Sequence, residues 1–543
     1  MYILIEILLS LIVSAVPIYL YKRSDKHNKD SFELVLLASI IIFIGAIVRI
    51  LLIEKIPIGL NQDEASIGYE AYSLINYGID RNGMTLPVHL ISWGSGQNAL
   101  YAYLIMPFIR IFGLNTFAVR LPMAIIGLIT LVVFYYLVKD AFGEKKGLLL
   151  LFIFTVIPWH LMKSRWGLES NIFPDLIFYS FALIYYGIKK KNKKYFIFSS
   201  IILGISTYAY GTSYLFVPLF CLIIYIYLII KKKIKIKDML LYLSITGIIS
   251  LPMILFVIVN YFNLDTIKIF NITIPKLSYN RFEEVTLLNG NVFTSIFKNL
   301  KETIKLFIYQ KDEFKVNFVP SFGVIYYHSL IFMLIGMYYS IKNKNIICKL
   351  NICLFITSII LSLFVIPNIH RINPIWFSVI IFIGLGLVAL SKYKIIFRIA
   401  IASYMIIFPI FLITYFTSYQ TTLRFFTFKG LTEAYEYAST IDYKEMYVSN
   451  YINQPSIYYL YSNKIDPNFF IKNRNIEKED VMFRIILDIG NVHFYYPEEL
   501  EVGNVYIFDR EMLGNFDEKR DSEYVKCFGY YCVIDKTKEE KVD

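Results

Sequence analysis

The sequence predicts an all-α polytopic membrane protein with one small α/β domain at its C-terminal end. Three observations carry that prediction. Of the 543 residues, 57% are hydrophobic and 18% charged, with a mean hydropathy of +0.55. Soluble domains average about 45–50% apolar and about 25% charged. Apolar runs long enough for a hydrocarbon core of about 30 Å recur from the first residues to about residue 417. Lys and Arg gather in short blocks between those runs, as the positive-inside rule expects. The composition excludes a soluble enzyme, a disordered chain and a disulfide scaffold, and the five Cys are too few for a framework. The net charge of +12 reflects the loop blocks, so no nucleic-acid partner is expected.

Twelve runs read as spans: 2–21, 32–53, 117–139, 147–162, 172–188, 195–211, 213–230, 238–259, 323–341, 346–366, 374–391 and 395–417. Alternate loops carry the cations. They hold Lys22, Arg23, Lys26 and Lys29; Lys139, Lys145 and Lys146; then the Lys189–Lys194, Lys231–Lys237, Lys342–Lys349 and Lys392–Arg398 blocks. These loops are expected in the cytoplasm. The first run opens without a basic residue and is followed by Lys22-Arg23, the reverse of a signal peptide, so it reads as a retained helix with its N-terminus outside. A further run, Ala99–Gly113, carries Pro107 and Arg110 and would break the alternation if it crossed. It reads as a re-entrant or surface helix.

The chain then divides into three parts. Residues 1–31 form an extra helix and its cytoplasmic loop. Residues 32–418 form the membrane module, with a first exterior loop over 54–116. Residues 419–543 form the extracytoplasmic α/β domain, with strand-like runs at Met446–Val448, Val505–Phe508 and Tyr530–Ile534 and a helical stretch at Leu431–Ser439.

Three polar clusters fall in exterior loops. Asp63 and Glu64 stand together in Asn61-Gln62-Asp63-Glu64. Adjacent acids there can act as a general base or hold a divalent cation. They equally suit the first turn of a helix, where the dipole favours negative charge. Pro158–Asn171 combines Lys163, Arg165 and Glu169 with Trp159 and Trp166. That set fits a phosphate head group beside a lipid tail, or an interfacial belt of indoles and snorkelling cations. His370 and Arg371 lie in a short exterior loop where cations are disfavoured, and a phosphate ligand would explain them. Acids and cations on one face point to transfer from a lipid phosphate: the acid deprotonates an acceptor hydroxyl while the cations stabilise the departing phosphate.

The stretch Asp63-Glu64-Ala65-Ser66-Ile67-Gly68-Tyr69-Glu70-Ala71-Tyr72 resembles the GT-C glycosyltransferases, in particular the bacterial members of glycosyltransferase family 39. These are similar to protein O-mannosyltransferases and to the lipid A aminoarabinose transferase. Further matches follow in order: Gly78-Ile79-Asp80-Arg81-Asn82-Gly83, Leu86-Pro87, Pro107–Gly113, Ala118-Val119-Arg120-Leu121-Pro122, Pro158-Trp159-His160, Ser164-Arg165 and Glu169-Ser170-Asn171. The resemblance covers roughly residues 32–420 and is strongest over about 57–175. It implies a GT-C-like fold, a polyprenyl-phosphate-linked sugar as donor, an extracytoplasmic acceptor, and inversion at the sugar carbon. By the resemblance Asp63 is the general base and Glu64 supports it. Arg165, Lys163, His370, Arg371 and Tyr69 serve donor phosphate or sugar. Glu169 takes the second acidic position, with Asp175 as runner-up. No obligatory cofactor is implied, and a divalent cation at Asp63 and Glu64 remains open. Where many relatives carry Lys-Pro or Pro-Pro before the surface helix, this chain has Ser92–Leu100, whose Gln97 and Asn98 could hydrogen-bond a sugar.

Two other readings stand beside this one. A polysaccharide polymerase or ligase would use a diphosphate-linked donor, and a lipid-linked sugar flippase would use charges nearer the bilayer midplane. Cys527 and Cys532 flank Phe528–Tyr531 and could bridge a hairpin, while Cys221, Cys348 and Cys353 read as packing.

Overall fold

The computed structural model describes residues 1–24, 29–280, 292–478, 481–514 and 516–538. Lys26, part of the Tyr261–Phe322 loop and the last five residues lie outside them. In chain order the helices are α1 (Tyr2–Lys22), α2 (Lys29–Ile50), α3 (Gln62–Tyr77), α4 (Leu100–Phe112), α5 (Thr116–Phe142), α6 (Glu144–Val156) and α7 (Pro158–Lys163). Next come α8 (Glu169–Lys190), α9 (Lys193–Ser206), α10 (Ser213–Ile230), α11 (Ile236–Tyr261), α12 (Val292–Tyr309), α13 (Ser329–Lys342), α14 (Ile346–Phe364), α15 (Ile375–Leu390) and α16 (Lys394–Phe416). Four short ones follow: α17 (Ser418–Leu423), α18 (Leu431–Ala438), α19 (Pro455–Asn463) and α20 (Pro467–Asn473).

A helix stands at each of the twelve expected positions. Among the described residues, eight are long and apolar enough to cross a membrane: α1, α2, α5, α8, α10, α11, α14 and α16. This is a multi-pass membrane protein. The other four, α6, α9, α13 and α15, have 13 to 16 residues and rise only about 20–24 Å each. The expected span 147–162 is in fact two helices. Ile157 is extended and Pro158 opens α7, because proline fits a first helical turn but not a helix interior. The Ala99–Gly113 run forms α4, of 13 residues, which carries Pro107.

Two compact units emerge. The first comprises Met1–Ile53, Arg120–Ile254 and Phe282–Tyr419; the second comprises Glu54–Val119, Leu255–Arg281 and Gln420–Asp543. In the first, α13 and α15 approach backbone to backbone. A methyl on Gly336 would strike the Phe382 carbonyl, and one on Gly386 would strike the Phe332 carbonyl. Small residues permit such close contact, which is how helices gain packing energy where lipid offers no hydrophobic drive.

The second unit holds a seven-stranded mixed sheet. Its strands are β5 (Met446–Val448), β6 (Arg474–Lys478), β7 (Ile485–Ile489), β8 (Val492–His493), β9 (Val505–Asp509), β10 (Val525–Phe528) and β11 (Tyr531–Asp535). Their order is β10-β11-β9-β5-β8-β7-β6. β5 runs parallel to β8 and β9, and the other pairs are antiparallel. Alternation of β9 and β11 puts Tyr506, Phe508, Cys532 and Ile534 into one apolar cluster. Cys527 and Cys532 face each other across β10 and β11 and are joined by a disulfide. The three other cysteines are free and buried. Two small hairpins complete the unit: β1 (His89–Leu90) with β2 (Gln97–Asn98), and β3 (Ile267–Ile269) with β4 (Ile272–Ile274).

Candidate active site

The first unit brings two of the expected cations into one pocket. A half-open cavity with about 350 Å³ of empty volume is lined by Lys163, His370, Trp159, Trp166, Asn171 and Asn373, with further apolar residues. Lys163 closes α7 and His370 sits in the turn before α15, so 207 residues of sequence separate two side chains of one pocket. The walls are fixed by hydrogen bonds. The Trp159 Nε1–H donates to Asn373 Oδ1 at 2.8 Å, and Asn373 Nδ2 donates to the Ser170 carbonyl at 3.1 Å. His370 Nδ1 lies 3.0 Å from Asn317 Nδ2, and Asn317 also donates to Asp312 Oδ2 at 2.8 Å. Asp312 further accepts the Ile369 and Phe314 N–H groups, yet burial still pushes its carboxyl up to about 6. The Trp166 indole N–H has no hydrogen-bond partner among the described residues.

Behind the pocket runs a chain of buried charges. Lys163, only 4% exposed, pairs with Asp175 and donates to the Asn171 carbonyl. The other Asp175 oxygen is 3.2 Å from His160 Nε2 and accepts from Thr130 Oγ1 at 2.9 Å. His160 Nδ1 accepts from Arg49 Nε at 3.0 Å. That bond fixes the neutral tautomer, with the proton on Nε2 and directed at Asp175. Arg49 also donates to the carbonyls of Gly45 and Phe154. Each charge is thus neutralised or hydrogen-bonded, which a low-dielectric interior requires.

Other expected residues stand elsewhere. Arg165 donates to the carbonyls of Val48 and Leu51 at 2.9 and 2.7 Å and lies 4.9 Å over the Phe416 ring. It therefore binds the terminal carbonyls of α2. Burial lowers its guanidinium to about 10, so it stays charged at neutral pH. Arg120 joins it on the Ile53 carbonyl, and Glu6 accepts the Leu52 and Ile53 N–H groups. Glu169 opens α8, half-buried in its first turn. The runner-up Asp175, not Glu169, is the acid the structure places on Lys163. Arg371 donates to the Ile366 carbonyl and does not line the pocket.

In the second unit, Asp63 and Glu64 lie in the first turn of α3 and have different partners. Asn61 caps the helix: its side chain accepts from Asp63 N at 2.8 Å, and Glu64 Oε2 accepts from Asn61 N at 3.2 Å. Glu64 is thereby fully buried as the reciprocal member of a capping box, while Asp63 is half-buried. Tyr69 is buried and donates to the Ile465 carbonyl at 2.8 Å. Gln97 accepts from Ser66 and Ser92. Among the described residues, no group of three or more His, Cys, Asp or Glu side chains is placed to hold a metal ion.

Several buried polar groups escaped the sequence argument: Glu6, Arg49 and Thr130 in the first unit, and the Glu70–Arg81 pair in the second. A signal was present, since an ionisable residue inside an apolar run needs a partner. Which partner is a tertiary fact. Arg49 and His160 are 111 residues apart.

Comparison with known proteins accords with this architecture. Residues 98–259 match the family model described as dolichyl-phosphate-mannose-protein mannosyltransferase. No curated protein matches by sequence. Among solved structures, the chain is similar to ArnT from Cupriavidus metallidurans bound to undecaprenyl phosphate, with 11% identity, TM-score 0.54, and coverage of 93% of this chain and 97% of that one. The apo state of the same protein gives 10% identity, TM-score 0.54, and coverage of 93% and 98%. The Archaeoglobus fulgidus oligosaccharyltransferase tethered to an acceptor peptide gives 13% identity and TM-score 0.50, with 79% of this chain covering 63% of that one. The chain therefore spans less than two thirds of the oligosaccharyltransferase but nearly all of ArnT. It has the GT-C fold, and its residues 98–259 carry the signature of the mannosyltransferase family model.

Proposed function

We propose that this protein is an inverting glycosyltransferase that moves a sugar from a polyprenyl-phosphate donor to a hydroxyl of an extracytoplasmic acceptor, which is a protein, a lipid or a wall polymer. The observation that carries the reading is the pocket that joins Lys163 and His370 beside two indole rings. A lysine and an imidazole with aromatic walls, at the ends of apolar helices, suit a phosphate whose tail stays in lipid. Undecaprenyl phosphate in the similar ArnT structure supports a donor of this class.

In the proposed reaction Lys163, held by Asp175, faces the donor phosphate, and His370, held through Asn317, assists it. Asp63 takes the proton of the acceptor hydroxyl. The acceptor oxygen attacks the sugar carbon opposite the phosphate, the carbon–phosphate-oxygen bond breaks with its electron pair, and polyprenyl phosphate leaves with inversion. Glu64 orders the backbone that carries Asp63. The acceptor side and the C-terminal domain are extracytoplasmic in this reading, as the loop charges imply. The test is donor binding and consumption: Lys163→Gln should weaken binding of a polyprenyl-phosphate sugar about tenfold or more. Unchanged binding would remove Lys163 from the donor site.

A lipid-linked sugar flippase is the second reading. It is favoured by one observation, the buried Arg49 and Asp175 within spanning helices. A flippase would move donor lipid without breaking the sugar–phosphate bond.

A further inference from the structure

The helix α12 has no role in the chemistry above, yet its 18 residues are sharply ordered into three parallel stripes. Phe297, Leu300, Ile304 and Ile308 recur at spacings of three and four, so they share one face, and all four are exposed. Lys298, Lys301 and Lys305 form the next stripe and are exposed as well. Asn299, Thr303 and Leu306 form the third and are buried. A surface helix of a water-soluble domain turns its widest apolar face inward. Here that face is left outside, with Phe297 70% and Ile304 51% exposed.

The buried stripe fixes where α12 lies. Asn299 Nδ2 donates to the carbonyls of Leu363 and Val365 at 3.1 Å each. These carbonyls are released where α14, a helix long enough to cross the membrane, comes to its end. Phe307 sits beside Phe355 of α14 and Trp376 of α15, with ring centroids 6.4 and 5.6 Å away. The middle of α12 is therefore tied to the end of a span, and its far half leans on the apolar flank of the same helices. α12 is not itself a span: Lys298, Lys301, Glu302 and Lys305 fall within eight successive residues, and hydrocarbon penalises such charges.

Charge decides the kind of surface this helix meets. Lys305 pairs with Glu302 at 2.7 Å. Lys298 and Lys301 have no ion pair among the described residues. An exposed apolar stripe edged by lysines is the pattern of a helix lying in the membrane surface, its apolar side in the acyl chains and its ammonium groups among the head groups. Each lysine there is attracted by an anionic surface and not by a zwitterionic one.

We propose that α12 is an interfacial helix that collects anionic phospholipid beside the end of α14. Phe297, Leu300, Ile304 and Ile308 enter the acyl chains, and Lys298 and Lys301 hold the phosphodiester head groups. This surface acts whether or not the protein transfers a sugar.

The test uses the full chain in lipid nanodiscs, with a bimane fluorophore on Ile304→Cys. Cys221, Cys348 and Cys353 are buried and the other two cysteines form a disulfide, so the introduced thiol is the accessible one. Wild type treated in the same way gives the background. The discs hold phosphatidylglycerol and phosphatidylcholine in equal amounts, and one or the other carries brominated chains that quench the label on contact. Brominated phosphatidylglycerol should quench about twofold or more as strongly as brominated phosphatidylcholine, and the ratio should fall as salt rises. Lys298→Gln combined with Lys301→Gln should bring the ratio to about one, and arginine at both positions should preserve it. Lys231→Gln combined with Lys233→Gln, in another loop, should leave it unchanged. Circular dichroism and elution volume report folding, and Lys298→Glu alone replaces the double variant if that does not fold. Absence of quenching by either lipid, a ratio of about one in wild type, a ratio unchanged by the Lys298 and Lys301 substitutions, or an equal loss in the Lys231 and Lys233 variant would each overturn the proposal.

Discussion

Removing the carboxylate of Asp175 tests how the first unit tolerates charge in its interior. Asp175 is fully buried and touches Lys163, His160 and Thr130; Lys163 is 4% exposed. Asp175→Asn keeps the shape and deletes the charge, so Lys163 and Arg49 remain as cations with no anion on the chain of contacts described above. Stranding a buried charge costs about 3–5 kcal/mol. Lys163→Met leaves Asp175 with only His160 and Thr130 and should cost a similar amount. The double variant removes both charges and should cost far less than the sum, since a buried ion pair replaced by neutral groups is often near neutral. The expected coupling is thus about −3 kcal/mol or more negative. The assay is reversible unfolding in mixed micelles, followed by tryptophan fluorescence and circular dichroism. Single variants within about 1 kcal/mol of wild type, or effects additive within about 0.5 kcal/mol, would refute the claim that Lys163 and Asp175 depend on each other.

Three further outcomes are expected. Asn61→Ala removes the side-chain cap of α3 and should cost about 1 kcal/mol, with Asp63 N–H losing its partner; a thermal midpoint equal to wild type would count against the capping box. Asp312, raised from 3.8 to about 6 by burial, is protonated in the folded chain before it is protonated in the unfolded one. Its contribution is full below about pH 4 and is lost as pH rises to about 6, a change of up to about 3 kcal/mol that Asp312→Asn should flatten; a pH–stability curve identical in the variant would contradict this. Cys527→Ser should lower stability by about 2 kcal/mol, the chain-entropy value for so short a loop, and reductant should then have no further effect on it.

Much of the architecture was legible because spans have a length and a polarity that composition can report. All twelve helix positions follow from apolar runs and lysine blocks, and three strands and α18 of the C-terminal domain follow from alternation. The misjudged boundaries trace to local stereochemistry. Pro158 splits the run 147–162, and the chain ahead of Ser329 turns through Tyr326 at φ 61° before α13 can begin. The short strands β6, β7, β8 and β10 were not visible, since β6 and β7 are half-exposed and lack a clean apolar face.

The site was only partly legible. Lys163 and His370 stand out by residue type and loop position, and both line one pocket; Asp175, named by the resemblance only as the runner-up to Glu169, lies behind it on Lys163. The resemblance implies a phosphate ligand at Arg165, whose terminal nitrogens lie on the Val48 and Leu51 carbonyls. An arginine at a helix end and an arginine at a phosphate look alike in sequence, because both tasks need the same planar fork. Of the two acids, Glu64 proved to be a helix cap, a possibility contained in its own three-residue spacing from Asn61.

The most direct test of the central claim is consumption of radiolabelled polyprenyl-phosphate sugars by the purified protein, supplied with an envelope extract as acceptor. Wild type and Asp63→Asn are compared with and without a chelator. The account predicts release of polyprenyl phosphate by wild type and its loss, in a folded protein, in Asp63→Asn. Loss on chelation would add a requirement for a divalent cation. Donor left intact by folded wild type, or consumed equally by Asp63→Asn, would contradict the account.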